Sequence, residues 1–208
     1  MQFKVNNTEY KISFSFFAVI LLALSIKRGK GILLMLLFAG LHEVVHLIFI
    51  CCLSIPPKSV SLSLLGANIS RGTNSTTSLN SEILINISAP VFNIAAGAFF
   101  QLLSVKTEEY SALFSEFALI NFVIGLFNLI PFYTFDGGNA LKYFLLKLCN
   151  EKVAEQITTA ISLAITVLFS FASIYIFLNY SHNFSLLIMC AYMFLAIIFK
   201  KQNSLDYY

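Results

Sequence analysis

Three ionisable side chains stand within five residues of one apolar run. Residues 31–41 lead into His42-Glu43-Val44-Val45-His46, and residues 47–53 are apolar again. A charge at the centre of a bilayer costs about 2.5–3.5 kcal/mol on insertion scales, so an intramembrane cluster of this kind is functional by default. The chain has 3 histidines, and two of them are here. Spaced i, i+4, their imidazoles fall on one face of a helix, one turn apart, where both can grip a single ion. Glu43 then sits beside the metal rather than on it. That is the HExxH arrangement, in which the Glu acts as general base. The bland alternative is a buried polar network between helices, which a lone histidine would favour. Packing by itself has no use for three costly groups together.

A catalytic zinc needs a third protein ligand and an open position for water. His182 reads as a loop residue outside the apolar runs, so the candidates are mainly carboxylates. Asp136 is set apart by its surroundings, Asn128-Leu-Ile-Pro131-Phe-Tyr-Thr-Phe-Asp136-Gly137-Gly138. Pro131 ends the helix before it, because it lacks an N–H and disfavours helix in the preceding residue. The Phe-Tyr-Thr-Phe stretch is apolar enough to stay in the membrane, where non-helical backbone survives only inside protein or along a watery cavity. Two glycines then allow a sharp turn. Taken alone, Asp136 reads equally as a metal ligand and as the cap of the following helix. Asn93, in Ser88-Ala89-Pro90-Val91-Phe92-Asn93, divides in the same way: it could orient substrate or donate to an oxyanion, or it could make an interhelical hydrogen bond.

The elements that must position these groups are membrane helices. Of 208 residues, 58% are hydrophobic and 11% charged, with 22 Phe and no Trp, whereas a soluble domain carries about 25% charge. A soluble globule and a disordered chain are excluded. So is a nucleic-acid module, because a formal charge of +3 leaves no concentrated basic face. A span takes roughly 20 mainly apolar residues, and the runs lie near 12–26, 31–53, 83–105, 111–131, 157–179 and 184–199. The fold class expected is therefore an all-α polytopic membrane protein of about six transmembrane helices. A short β-hairpin-like segment is expected between helices 2 and 3, where residues 58–65 alternate polar and apolar before Gly66. Residues 139–151 read as an interfacial amphipathic helix.

Lys and Arg are concentrated on the side of the N-terminus, the second and fourth loops and the C-terminal tail, so both termini are expected to be cytoplasmic. On this topology the second and fourth spans end on the same side, which lets Asp136 and the histidine pair meet. The four cysteines show no framework spacing and read as small hydrophobes. Lys27-Arg28-Gly29-Lys30 stands where a signal peptide would need a cleavage site. One membrane-embedded domain over 1–208 is expected, with a catalytic core at about 31–140 and extra C-terminal helices at about 157–199.

Three motifs then coincide in order. His42-Glu43-Val-Val-His46 resembles the zinc motif of the site-2 proteases, which are intramembrane metalloproteases. Ala89-Pro90-Val-Phe-Asn93 is similar to that family's Gly/Ala-Pro-x-x-Asn element. Asn128-Leu-Ile-Pro131 with Asp136-Gly137-Gly138 is similar to its Asn-x-x-Pro-x-x-x-x-Asp-Gly element, whose Asp is the third zinc ligand. Within the family the pattern resembles most the bacterial stage IV sporulation protein FB branch, without the CBS domain that such proteins often carry. Val45, Thr134 and Asn139 depart from residues common in the family.

The resemblance implies one Zn²⁺ per chain on His42, His46 and Asp136, with Glu43 as general base and Asn93 as oxyanion donor. Asn128 and Pro131 would contact substrate. It further implies a membrane-associated protein substrate, such as a pro-sigma factor in a spore-former or an anti-sigma factor elsewhere, and leaves open an inhibitory membrane protein partner. The location implied is the bacterial cytoplasmic or forespore membrane. Strand addition along residues 59–65 would hold the unwound substrate. A metal or proton transporter and a non-cleaving membrane-binding relative are the competing classes. Transporters tend to show repeats, and none is visible here.

Overall fold

The computed structural model describes residues 2–5, 8–12, 29–53, 57–63, 66–71, 77–179 and 184–205. Among them the chain forms four strands and six helices. The strands are β1 (Gln2–Val5), β2 (Thr8–Ile12), β3 (Pro57–Ser63) and β4 (Gly66–Arg71). The helices are α1 (Gly29–Cys52), α2 (Leu79–Lys106), α3 (Ser111–Leu129), α4 (Asp136–Leu145), α5 (Glu151–Asn179) and α6 (Ser185–Leu205). Four of them, α1, α2, α3 and α5, are long and apolar enough to cross a membrane. In α6 the apolar stretch is shorter, Leu186–Ile198. The multiple apolar helices are those of a multi-pass integral membrane protein. The first expected span, 12–26, falls outside the described residues apart from Ile12, which ends β2.

Two compact units divide the chain, Met1–Asn128 and Leu129–Tyr208. In the first, the strands make one sheet in the order β1-β2-β3-β4. Outer pairs β1/β2 and β3/β4 run antiparallel, and β2/β3 run parallel. The pairing of β3 with β4 forms the hairpin expected after the second span. Because β3 has a neighbour on each side, its backbone groups are already engaged. The expected strand addition along residues 59–65 therefore finds no open edge there. Among the described strands the open edges belong to β1 and β4.

Helix ends follow local chemistry. Ser78 caps α2, its side chain accepting from the Ser81 N–H at 3.1 Å, and Glu82 sits in the first turn, where a carboxylate suits the helix dipole. At the other end Lys106 occupies the last turn, and the Thr107 N–H bonds to Leu103 O. Small residues let α2 and α3 approach closely. A Cβ at Gly125 would stand 2.8 Å from Pro90 O, and one at Gly97 would stand 2.9 Å from the Phe122 ring. Phe38 of α1 meets Phe100 of α2 and Phe117 of α3 edge-on, with centroids 5.9 and 5.3 Å apart. One turn beyond Phe38 along α1 comes His42.

In the second unit, α4 begins three residues before the expected interfacial helix and ends at Leu145. Helix α5 buries Ala154, Thr158, Ser162, Thr166 and Ser173 while Leu163, Leu168 and Phe171 are exposed. Polarity is thus inverted relative to a soluble helix: small and hydroxylated residues pack inward and large apolar ones face out, as lipid allows. The hydroxyls of Thr158, Ser162, Thr166 and Ser170 each donate to the carbonyl four residues back, at 2.7–2.8 Å, so their polarity is satisfied within the helix.

Candidate metal centre

The i, i+4 spacing on α1 places both imidazoles on its buried face. His42 is 4% and His46 6% exposed, and their rings lie 4.9 Å apart at 84°. Each is held from behind through Nδ1. His46 Nδ1 donates to the main-chain carbonyl of Ile85 at 2.9 Å. His42 Nδ1 meets Asn93 Oδ1 at 2.7 Å. A ring whose Nδ1–H is donated to an oxygen keeps its lone pair on Nε2, the form in which histidine binds a metal with a fixed orientation. Glu43, the next residue along α1, is half-buried.

Asp136 is the first helical residue of α4. The cap position belongs to Phe135, which is extended and makes no side-chain cap bond, so the reading of Asp136 as that helix's cap is replaced. Its lead-in is fixed within the second unit. Phe132 is fully buried, with its ring centroid 5.1 Å from those of both Tyr133 and Phe135. The Tyr133 N–H donates to Ser162 Oγ on α5 at 3.0 Å, and the Tyr133 hydroxyl donates to Ala196 O on α6. Gly137 and Gly138 have a role other than a sharp turn, since both lie inside the first turn of α4. A Cβ on Gly137 would run into the Leu129 carbonyl, and one on Gly138 into the Phe132 carbonyl. The incoming chain passes too close for any side chain.

His42 and His46 on α1 and Asp136 at the start of α4 are the candidate metal ligands. Two imidazoles and a carboxylate are the donor set of a catalytic zinc, leaving a fourth position for water. The residues present therefore fit the metal that the motif implies. The other expected site residues are placed differently. Asn93 is fully buried and has both amide ends engaged, Oδ1 toward His42 and Nδ2 donating to Asn121 Oδ1 at 2.9 Å. It stands behind a ligand. Asn128, in the last turn of α3, donates its amide to Ile124 O at 3.0 Å. Pro131 follows the end of α3 and is half-buried.

Sequence reasoning missed Asn121, Ser162 and the carbonyl of Ile85. The first had a usable signal, an amide side chain in the middle of an apolar helix, the same signal that singled out Asn93. A hydroxyl within a Ser/Thr-bearing helix and a main-chain carbonyl carry none.

Comparison with known proteins leads in the same direction. Residues 85–173 match the profile of Peptidase family M50, a stretch that holds Asn93 and Asp136. A zinc metalloprotease of Methanocaldococcus jannaschii is 28% identical over 183 residues, covering 82% of this chain and 52% of its own. The chain thus spans about half the length of that curated relative. The solved structure of a site-2 protease from the same organism superposes with a TM-score of 0.66 at 19% identity, covering 95% of this chain and 93% of that one. At that identity the likeness is one of fold.

Proposed function

We propose that this chain, a relative of Peptidase family M50 in sequence and of a site-2 protease in fold, is an intramembrane zinc metalloprotease. Its substrate is a membrane-associated protein, cut at a peptide bond within or beside the bilayer. The observation that carries the reading is the buried histidine pair on α1, each ring held through Nδ1, with Glu43 next to the first of them; Asp136 is read as the third ligand. Zinc, when bound, supplies Lewis acidity toward a water and a scissile carbonyl. Glu43 takes the proton that the attacking water loses and delivers it to the leaving amine. Ile85 O and Asn93 hold the two imidazoles so that Nε2 of each presents its lone pair. Asn128 and Pro131 lie along the approach of the chain to Asp136 and contact the substrate.

A transmembrane substrate hides its peptide groups in a helix, so it must unwind before cleavage. The open edge of β4 offers main-chain partners to the extended segment. Both termini face the cytoplasm, on the bias of Lys and Arg between loops. The finer reading, processing of a pro-sigma factor in the manner of stage IV sporulation protein FB, with an inhibitory membrane partner, rests on motif resemblance alone.

Zinc content per chain in detergent tests the core of this reading. Wild type should hold about one zinc, while Asp136→Ala and His46→Ala should hold little. Purified wild type should also cut members of a panel of transmembrane peptides in liposomes. Absence of zinc after reconstitution, or full occupancy without Asp136, would remove the proposal.

A further inference from the structure

His42 is not held by a rigid main-chain carbonyl, as His46 is, but by an amide that can face either way. An Asn side chain turned by 180° exchanges its oxygen for its NH2 group. In that flipped state Asn93 would offer a donor to His42 Nδ1, the proton would move to Nε2, and the nitrogen facing the metal would lose its lone pair. Something must keep Asn93 in one sense.

The geometry points to Asn121 as that element, a positioning residue that acts on His42 through Asn93. Asn121 Nδ2 donates to the main-chain carbonyl of Phe117 at 2.9 Å. A carbonyl can only accept, so the NH2 of Asn121 must face it and its Oδ1 must face away. That oxygen, 2.9 Å from Asn93 Nδ2, can likewise only accept, so Asn93 must turn its NH2 toward Asn121. Asn93 Oδ1 is then the atom presented to His42 Nδ1 at 2.7 Å, and the ring must donate from Nδ1. The direction of each bond in the series follows from the one before it, starting at Phe117 O. Burial keeps water from substituting for a member: Asn93 is fully buried and Asn121 1% exposed. Hydrogen-bond chains of this kind strengthen one another in a low-dielectric interior. This inference rests on the proposed role of His42 as a metal ligand, but its direct consequence, the tautomer of His42, is readable without metal.

Two measurements decide it. The first is the ¹⁵N spectrum of histidine-labelled, metal-free protein, which is tractable with 3 histidines. Wild type should show His42 protonated at Nδ1, and Asn121→Leu should show a mixture of tautomers or the Nε2–H form. A wild-type His42 protonated at Nε2 overturns the inference, whether or not any variant folds. The second is Zn²⁺ affinity by chelator competition, with Co²⁺ absorption as a signature of ligand geometry. Asn121→Leu should bind about 10- to 100-fold more weakly, the range typical for lost partners of ligating histidines. Asn121→Asp should stay close to wild type: a protonated carboxyl donates to Phe117 O and accepts from Asn93, and an ionised one still accepts. In an Asn93→Ala background, Asn121→Leu should cause no further loss. Equal zinc affinity of wild type and Asn121→Leu, or additive losses in the double variant, overturns the inference. If wild type binds no zinc, the protease reading falls, and the tautomer spectrum still decides the role of Asn121.

Discussion

A histidine can ligate a metal through either ring nitrogen, and what the other nitrogen touches makes the choice. Here both choices are made by oxygens, Ile85 O for His46 and Asn93 Oδ1 for His42. In the proposed mechanism Glu43 differs from His42 and His46 on α1 in that it handles a proton rather than the metal. Glu43→Gln should therefore keep about one zinc per chain yet lower cleavage about 100- to 10,000-fold, the usual contribution of a general base. Zinc content measured beside peptide cleavage checks this, and loss of both together would make Glu43 a ligand. At this scale much is legible from spacing and from the cost of charge in lipid, and His42, Glu43 and His46 declare themselves in that way. For Asp136 the spacing leaves ligand and cap even, and the structure removes the cap by giving that position to Phe135. For Asn93 the readings are substrate contact or a bond between helices, and it makes bonds to α1 and α3. Orientation of an amide is a three-dimensional property, so no spacing reveals which end faces His42.

Helices are legible because each apolar run is long enough to be read by composition. Accordingly α1, α2, α3, α5 and α6 fall within a few residues of the expected spans, except that α5 starts six residues before its run and α6 ends six after. Their ends shift where polar chemistry extends them, as Ser78 does for α2. Strands β1 and β2 carry no comparable signal. Each is only 4 or 5 residues long, and their place in the sheet depends on β3, more than 40 positions away. Asp136 depends on elements too, since its lead-in is tied to α5 and packed against α4. Gly138→Ala should push a methyl group into the Phe132 carbonyl, costing about 1–3 kcal/mol as overpacking does. Thermal unfolding in detergent should drop, and zinc content with it; an unchanged melting temperature would mean the close approach is absent. Ser162→Ala is gentler. It leaves the Tyr133 N–H without its acceptor, a loss of about 1 kcal/mol, and should weaken zinc binding without altering helix content by circular dichroism.

Among the described residues many large apolar side chains face outward, while small or hydroxylated ones, two histidines and several amides are buried alongside a few large apolar residues such as Phe132 and Ile50. Lipid supplies no hydrophobic drive between helices, so close packing and hydrogen bonds must hold the interior. A ligand bound only by the native state adds stability, about 4.1 kcal/mol at 1,000 times its dissociation constant. Stripping zinc with a chelator should therefore lower the unfolding temperature by several degrees and stop cleavage, and added Zn²⁺ should restore both. An unfolding temperature indifferent to chelation would argue against a metal joining these residues. The position of the proton on His46 and on His42 traces back in the end to a peptide carbonyl, Ile85 O or Phe117 O. Peptide carbonyls are indifferent to the codon. Mutation at 85 or 117 can change packing but cannot reverse a donor, so drift at these two positions leaves the direction of these hydrogen bonds in place. At 93 and 121, where side chains carry the same information, a single base change can erase it.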